Sequence, residues 1–369
     1  MSKRLIFHID VNSAYLSWSA AEKLKQGEKR DLRTIPSIIG GDMASRHGVV
    51  LAKSIPAKAY GIATGEPVAH ALQKCPQLIL EPPNHQLYRQ YSQRLMELLM
   101  NFCPLLEQVS IDECYMDFTE YGRRYQSPAA AAAQIKDTVR NTLGFTVNIG
   151  ISSNKLLAKM ASDFQKPDKI HTLFPEEISA KMWQLPVREL FMVGRSSAAT
   201  LEKLEILTIG DLAHTNPQIL ESHMKKHGRL IWEFANGIDN SPVQTEDSEL
   251  KGVGNRMTLK QNAETSEEAK CALRALCNQV AARLQKYGQY AGMVSTEIRY
   301  ASFTEVSHQR KLAASTAEAD ILYRQACLLF DELWNGAPIR LLGVRTSKLT
   351  DTPEPVQMNL FDYTANWLL

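Results

Sequence analysis

The sequence lacks long apolar runs and is not unusually rich in glycine or proline. No stretch approaches the roughly 18 apolar residues that a membrane-spanning helix requires. The first apolar run is interrupted by His8 and Asp10, which is atypical of a secretion signal. With 19 glycines and 16 prolines in 369 residues, collagen-like and low-complexity chains are excluded. We therefore expect a cytoplasmic globular protein with no membrane partner.

Paired cysteine motifs are also missing from the sequence. None of the six cysteines belongs to a Cys-x-x-Cys pair, the spacing typical of zinc and redox sites. Disulfide frameworks are characteristic of small secreted chains, which this is not. We interpret all six as reduced core residues: Cys75, Cys103, Cys114, Cys271, Cys277 and Cys327.

Net charge is small but unevenly distributed. The formal net charge is +2. Residues 1–170 carry 21 Lys and Arg against 16 Asp and Glu, and residues 251–348 carry 14 against 9. Two basic segments could face a polyanion from two sides. Ordinary variation of a protein surface explains the same distribution equally well.

The hydrophobic patterning predicts several domains of α+β structure, as the length also suggests. The first 170 residues alternate between strand-like and helix-like segments, which is typical of one sheet covered by helices. We predict strands over 5–11, 109–118 and 145–151, and helices over 13–25, 84–102, 128–143 and 153–164. After a helical region at 171–237 and an acidic linker, a second unit is predicted from helices at 265–287 and 317–334 and strands at 294–300 and 341–346.

Three acidic residues lie at the ends of strand-like segments: Asp10, Asp112 and Glu113. Carboxylates held this close repel one another unless a cation neutralises them. Oxygen ligands suit Mg²⁺, which completes its coordination with substrate phosphates. Spacing alone leaves two interpretations open, a metal site and ordinary solvated turns.

Three segments together resemble a known family. They are Phe7-His-Ile-Asp-Val-Asn-Ser-Ala-Tyr15, Ser110-Ile-Asp-Glu113 and Ser153-Asn-Lys-Leu-Leu-Ala-Lys-Met-Ala-Ser162. In this order and spacing they resemble the Y-family DNA polymerases, low-fidelity enzymes that copy damaged templates. The resemblance implies a right-hand polymerase with a palm, small fingers, a helical thumb and an α+β little finger.

The resemblance implies a set of metal ligands. The family binds two Mg²⁺ per active site, and the matching positions are Asp10, Asp112 and Glu113, with the Val11 backbone carbonyl as a further ligand. Asn12 occupies a position where many members have a second aspartate. All three catalytic acids are present, which implies intact chemistry.

The resemblance also implies residues that bind the incoming nucleotide. Tyr15 matches the steric gate that excludes a 2′-hydroxyl, and Lys166 matches a lysine that contacts the triphosphate. In the fingers, many relatives have a Tyr-x-x-Arg pair where this chain has Ile55 and Lys58. Lys58 keeps the charge but loses the bidentate geometry of arginine. We expect weak nucleotide binding as a result.

The remaining regions are assigned in the same way. Val193-Gly194-Arg195 matches the thumb turn of a helix-hairpin-helix that holds a DNA phosphate, with Met192 replacing the usual first glycine. Gln357, Leu360 and Phe361 resemble the motif that binds the bacterial sliding clamp. The implied domains are the palm (1–24 and 77–170), fingers (25–76), thumb (171–240), linker (241–250), little finger (251–348) and clamp-binding tail (349–369). The little-finger candidates for DNA contact are Arg256, Lys260, Arg299, Arg310, Lys311, Arg345 and Lys348.

The expected function is a monomeric, low-fidelity DNA-directed DNA polymerase that acts on primer-template DNA and deoxynucleoside triphosphates. A catalytically weak accessory protein that binds DNA and the clamp is the alternative. A two-metal cyclase or nuclease could share the palm-like site, but the order of thumb, little finger and clamp motif argues against it.

Overall fold

The computed structural model of the protein describes residues 4–42, 48–246 and 249–353. The chain divides into two compact units at residue 247. No helix within the described ranges has both the length and the apolar character needed to cross a membrane.

The first unit alternates strands and helices and ends in a helical region. Its strands are β1 (Ile6–Val11), β2 (Ser37–Gly40), β3 (Val50–Lys53), β4 (Ile79–Glu81), β5 (Leu106–Gln108), β6 (Glu113–Asp117), β7 (Val147–Ser152) and β8 (Ile170–Thr172). Its helices are α1 (Ala14–Lys25), α2 (Ile55–Ala59), α3 (Val68–Lys74), α4 (His85–Met100), α5 (Pro128–Leu143), α6 (Lys155–Asp163), α7 (Ile178–Lys181), α8 (Arg195–Lys203), α9 (Ile209–His214), α10 (Pro217–Met224) and α11 (Lys226–Ala235).

A five-stranded sheet in the order β5-β6-β1-β7-β8 forms the centre of this unit. Strand β1 is fully buried and is antiparallel to both β6 and β7. A large apolar core that includes Phe7, Trp18 and Phe118 lies under the sheet, where the rings of Phe7 and Phe118 stack with centroids 4.6 Å apart. The central strand is therefore fixed on both edges and both faces.

Helix ends in this unit follow the capping residues in the sequence. Helix α5 begins after Ser127, whose hydroxyl accepts a hydrogen bond from the Ala130 N–H, and it ends at Gly144, which has φ of 79°. Because a left-handed residue at a helix end favours glycine, the helix stops there. Helix α6 begins after Asn154, whose side chain accepts from the Leu157 N–H. The predicted bounds of both helices are confirmed within two residues.

Helix α6 lies in close contact with the sheet because β7 contains Gly150. A Cβ atom at this position would overlap the backbone carbonyl of Ala158 and lie 2.5 Å from the backbone nitrogen of Ser162. Both obstacles are backbone atoms, which cannot rotate away. The glycine therefore sets the distance between α6 and the strands beneath it.

Residues 239–244, which span the end of the predicted thumb and the start of the predicted linker, contact β5 and the start of α6. The Asp239 carboxylate accepts from the Leu156 N–H at 3.0 Å, near the start of α6. Glu107 pairs with Lys155 at 2.7 Å and accepts from the Gln244 N–H at 2.8 Å. Two hydrogen bonds therefore fix this stretch to the first unit before the chain enters the second.

The second unit is a four-stranded antiparallel sheet in the order β11-β10-β12-β9, with two helices on one face. Its elements are β9 (Gly252–Ala263), α12 (Ser266–Lys286), β10 (Tyr290–Tyr300), β11 (Glu305–Thr316), α13 (Ala319–Leu333) and β12 (Ile339–Thr350). The sequence prediction included both helices and two of the strands but missed β9 and β11. These two form the edges of the sheet, and their exposed, polar composition gives a weak strand signal.

The prediction that all six cysteines lie in the core is partly wrong. Cys75, Cys103, Cys114 and Cys277 are buried, whereas Cys271 is exposed and Cys327 is half-buried. Cys271 and Cys327 lie on α12 and α13, on parts of these helices that the sheet does not cover completely. All six are free thiols.

Candidate active site

Strand pairing brings the predicted carboxylates together. Asp10 near the end of β1 is the direct cross-strand partner of Glu113 at the start of β6. The next residue, Val11, donates its backbone N–H to the carbonyl of Asp112 at 3.1 Å. Because the strands are antiparallel, the end of β1 meets the start of β6, and the three acids meet at the same end of these two strands.

Two lysines form ion pairs with Asp10 and Glu113. The Lys166 ammonium group forms an ion pair with Asp10 and another with Asp163, at 2.8 Å from its Oδ1. The Lys159 ammonium lies 2.7 Å from Glu113 Oε1 and 4.0 Å from Asp10 Oδ2. One ammonium group therefore reaches both carboxylates, which shows that their oxygens face a common space.

Burial and charge act against each other in this cluster. Asp10 is only 6% exposed, and burial raises the pKa of its carboxyl despite the opposing charges of Lys166 and Lys159. Burial alone would lower the pKa of both lysines. For Lys166, the carboxylates of Asp10 and Asp163 outweigh the effect of burial and raise the pKa of the ammonium group. For Lys159, the hydrogen bond to Glu113 and the charges of neighbouring carboxylates likewise outweigh burial and raise the pKa. Both lysines therefore stay charged at neutral pH.

Asp112 is held by a local turn. The Ser110 hydroxyl donates to Asp112 Oδ1 at 2.7 Å and accepts from the Glu113 N–H at 3.1 Å. Within the described ranges, no group of three or more His, Cys, Asp or Glu side chains is arranged to hold a metal ion. Asp10 and Glu113 are paired with lysines, and Asp112 is bonded to Ser110. The donor set of carboxylate oxygens nevertheless has the chemistry that Mg²⁺ requires.

Tyr15 lies on α1 beside this cluster. Its ring stacks on Tyr88 with centroids 4.4 Å apart and planes 9° from parallel, and His85 packs against it edge-on at 6.1 Å. Burial raises the pKa of the Tyr15 hydroxyl, and the negative charge of Asp112 raises it further. The half-buried ring is thus held rigidly within electrostatic reach of an acid of the cluster.

A buried pair of amides positions the loop that carries Lys166. The Asn12 side chain donates to Asn148 Oδ1 at 3.0 Å and accepts from the Asp168 N–H at 2.9 Å. Asn148 in turn donates to the carbonyls of Ser162 and Gln165, at 2.9 and 2.7 Å. Its Oδ1 also accepts from the backbone N–H of residue 169 at 3.2 Å. The two side chains thereby tie residues 162–169 to β1 and β7.

Two other predicted groups lie elsewhere in the first unit. Lys58 is exposed on α2, a helix capped by Ser54, and the structure gives it no contact with the carboxylates. Ile55 lines a small cavity of about 170 Å³ with Ser13 and Pro167, the residue after Lys166. Helix α2 therefore approaches the residue after Lys166 through an apolar side chain.

The predicted thumb turn lies at the start of α8. Gly194 is the N-cap of this helix and Arg195 its first residue, and no side chain caps the first turn. Met192 has φ of 70°, a left-handed conformation that disfavours side chains by about 1–2 kcal/mol. Position 192 thus has the backbone geometry for which glycine is suited. The predicted clamp-binding residues Gln357, Leu360 and Phe361 lie outside the described residues.

Sequence reasoning missed two residues of the site. The motifs of the sequence indicate no role for Lys159, and the pattern around Asn148 indicates only a strand. A lysine inside the apolar run Leu156–Ala161 was a usable signal, because a buried ammonium group requires an acidic partner. Asn148 interrupts an otherwise apolar strand, which is a similar but weaker signal.

Comparisons with known proteins agree with this geometry. Residues 9–163 match the model of the impB/mucB/samB family, and residues 250–360 match that of its C-terminal domain. The chain is 50% identical to a DNA polymerase IV of Clostridium acetobutylicum over 98% of this chain and 91% of that protein. It is 36% identical to DNA polymerase IV 1 of Bacillus subtilis over 98% of this chain and 86% of that protein.

A solved structure shows the same fold. The Y-family DNA polymerase chimera Dbh-Dpo4(243-245)-Dbh superimposes with a TM-score of 0.81, covering 94% of this chain and all of the other, at 22% sequence identity. The predicted α+β multidomain polymerase fold is therefore confirmed. With both family models matched and a relative 50% identical along nearly its whole length, this chain belongs to the impB/mucB/samB family of Y-family DNA polymerases.

Proposed function

We propose that this DNA-directed DNA polymerase extends primers across damaged templates with low fidelity, by nucleotidyl transfer at a two-Mg²⁺ site. Asp10, Asp112 and Glu113 are the proposed catalytic metal ligands, with the Val11 carbonyl as a fourth. The main support is the pairing of Asp10 with Glu113 across β1 and β6, with Asp112 beside them.

Each residue of the site has a proposed task. Bound Mg²⁺ would supply the charge that stabilises the attacking and leaving oxygens of an in-line phosphoryl displacement. Ser110 orients Asp112 through its hydroxyl. Lys159 keeps the carboxylates close together by neutralising their repulsion. Lys166, on a loop fixed by buried amides, places a positive charge where a triphosphate would enter.

Tyr15 is proposed to select the sugar of the incoming nucleotide. Tyr15, held against Tyr88, would exclude a ribose 2′-hydroxyl by occupying its space. Between residues 25 and 76, the described chain contains two short strands, one turn of 3-10 helix and two α-helices of at most seven residues. Such small fingers leave the nascent base pair weakly enclosed, which supports the proposal of low fidelity. Lys58 would contribute at most a flexible charge near the triphosphate.

DNA is proposed to be held by both units. Val193, Gly194 and Arg195 would present backbone N–H groups at the start of α8 to a phosphate. In the second unit, strand register places Arg256, Arg299, Lys311 and Arg345 on the face of the sheet opposite the helices. Arg310 instead pairs with Val294, a core residue, and lies on the helix side. The open face is therefore the proposed DNA surface of this unit.

The remaining proposed partner is the bacterial sliding clamp. Gln357, Leu360 and Phe361 form the proposed clamp-binding motif at the end of a Pro-containing tail. Tethering a monomeric polymerase to a clamp raises its local concentration at the primer end.

Primer extension tests this proposal. The full chain is incubated with a primer-template, Mg²⁺ and all four deoxynucleotides, next to Glu113→Ala and a control variant, Glu120→Ala, whose side chain is 64% exposed. We expect short extension products that Glu113→Ala reduces by a factor of about 10²–10³ or more, since it removes charge stabilisation of the reaction. Glu120→Ala should retain extension.

Three outcomes would contradict parts of the proposal. Binding of the primer-template by all three proteins without extension would favour the accessory alternative. Equal extension by Glu113→Ala and the unaltered chain would exclude the carboxylate cluster as the catalytic site. A template with an abasic site tests lesion bypass in the same assay, and termination one nucleotide before the lesion would refute it.

A further inference from the structure

The open face of the second unit contains an acid at its centre. Four residues form one row across the sheet: Arg256 on β9, Gly343 on β12, Glu297 on β10 and Ser307 on β11. The face is concave and encloses about 820 Å³, lined largely by glycine, serine and arginine. A carboxylate in the middle of a proposed DNA surface opposes phosphate binding and requires an explanation.

Arg256 reaches this acid across an intervening strand. Its Nη2 lies 2.8 Å from Glu297 Oε2, although β12 separates β9 from β10. Gly343 leaves room for the contact, because a Cβ atom there would lie 3.1 Å from Arg256 Cγ and would crowd the arginine side chain. The guanidinium group therefore lies along the sheet, over the glycine.

Arg256 compensates the negative charge of the Glu297 carboxylate. Its side chain is only 17% exposed, and in the described part of the chain its Oε1 is buried without a hydrogen-bond partner. The Arg256 side chain is 59% exposed, so it remains accessible to other anions. A buried carboxylate is strongly disfavoured without a cation. The ion pair is therefore stabilised mainly because the buried Glu297 carboxylate requires a positive charge beside it.

A similar pair lies on the opposite side of the same sheet. Arg310 of β11 pairs with Glu332 of α13, and His308 lies 2.9 Å from the same carboxylate. Both positions face the helices, because their strand neighbours Val294 and Thr296 are buried. This pair matches the first in chemistry but lies off the proposed DNA surface.

We propose that Glu297 reduces the affinity of the little finger for DNA by retaining Arg256 in an ion pair across Gly343. The inference rests on the proposed DNA-binding role of this face and goes beyond it. While the pair exists, Arg256 neutralises Glu297 instead of a phosphate. A polymerase restrained in this way releases the template after a short extension and leaves it to other enzymes.

The proposal predicts a gain of one phosphate contact when the acid is neutralised. Each phosphate that a protein neutralises on duplex DNA steepens the dependence of log K on log salt by about 0.9. Glu297→Gln should therefore steepen the slope by about 0.9 and tighten binding by about three- to tenfold near 0.1 M salt. The double variant Arg256→Gln/Glu297→Gln should return to the slope of the unaltered chain, because the released arginine is gone.

The test uses the full chain and fluorescein-labelled primer-templates of two unrelated sequences, without nucleotides. Dissociation constants are measured by fluorescence anisotropy at five KCl concentrations. Glu332→Gln is the matched control, and it should leave the slope unchanged because its arginine faces the helices. Circular dichroism establishes that each variant is folded. If Glu297→Gln does not fold, Glu297→Asp, which shortens the side chain and weakens the pair, should also tighten binding.

Other results would overturn the inference in distinguishable ways. An unchanged slope for folded Glu297→Gln would refute it, as would a double variant with the same steep slope as the single one. Loss of affinity on one DNA sequence alone would indicate that Glu297 reads a base. Arg345→Gln separates the two levels of the argument. If it weakens binding while Glu297→Gln changes nothing, only the role of Glu297 fails, and if neither variant alters binding, the proposed DNA face fails as well.

Discussion

Replacing Asn148 by alanine should loosen the loop that carries Lys166. The substitution removes a fully buried side chain that makes four hydrogen bonds, two as donor and two as acceptor. The groups left behind are the carbonyls of Ser162 and Gln165, the side-chain amide of Asn12 and the backbone N–H of Lys169. Three of these four lie in or next to the loop.

The magnitude follows from what the partners lose. A buried polar group without a partner destabilises a protein by about 1–3 kcal/mol, and water entering the vacated space recovers part of this. We therefore expect Asn148→Ala to lower the free energy of unfolding by about 2–4 kcal/mol. Urea denaturation followed by circular dichroism measures this change.

The kinetic effect should fall on nucleotide binding. Because the loop holds Lys166 near Asp10, its release should raise KM for the incoming nucleotide about tenfold, one tenfold step being 1.4 kcal/mol, with a smaller effect on kcat. Single-nucleotide incorporation over a range of deoxynucleotide concentrations separates the two constants. Asn141→Ala, at an exposed position of α5, is the control for general effects.

Two results would refute this reasoning. A folded Asn148→Ala variant with unchanged KM would show that the amide pair does not position Lys166. A fall in kcat and kcat/KM by the same factor would show that the pair acts on the chemical step instead.

Two further predictions concern Tyr15 and the thiols. Tyr15→Ala should lower discrimination against ribonucleotides at least tenfold in single-nucleotide incorporation, whereas Tyr15→Phe, which retains the ring against Tyr88, should not; equal discrimination in all three proteins would contradict the steric gate. Burial raises the pKa of Cys103 to about 11 and that of Cys277 to about 12. Because alkylation requires the thiolate, iodoacetamide at pH 8 should label the exposed Cys271 first and these two only after denaturation, as peptide mass spectrometry can establish. Labelling of Cys277 in the native protein at the rate of Cys271 would contradict its burial.

The sequence predicted well those features that depend on local chemistry. Helix α5 has the bounds predicted for it, because Ser127, Pro128 and Gly144 are strong start and stop signals. The approach of Asp10 to Glu113 was anticipated only through a resemblance. Spacing by itself left a solvated turn open, and the antiparallel pairing of β1 with β6 establishes only that Asp10 and Glu113 lie side by side.

Features that depend on tertiary contacts were harder to predict from the sequence. Strands β9 and β11 were missed because sheet edges have polar sequences. The role of Asn148 depends on hydrogen bonds to residues up to 136 positions away, which no local pattern encodes. The row of Arg256, Gly343 and Glu297 likewise exists only when three strands are in register.

Gly150 has no side chain, yet it determines how closely α6, which carries Lys159, packs on β7. Since α6 rests on β7 through this residue, the height of the helix determines how far the Lys159 ammonium stands from the carboxylates. The attraction between two charges falls with their separation. An alanine at position 150 would therefore move the Lys159 ammonium away from Asp10 and Glu113, although none of these three residues is changed. The absence of a side chain at position 150 thus allows Lys159 to lie close enough to pair with Asp10 and Glu113.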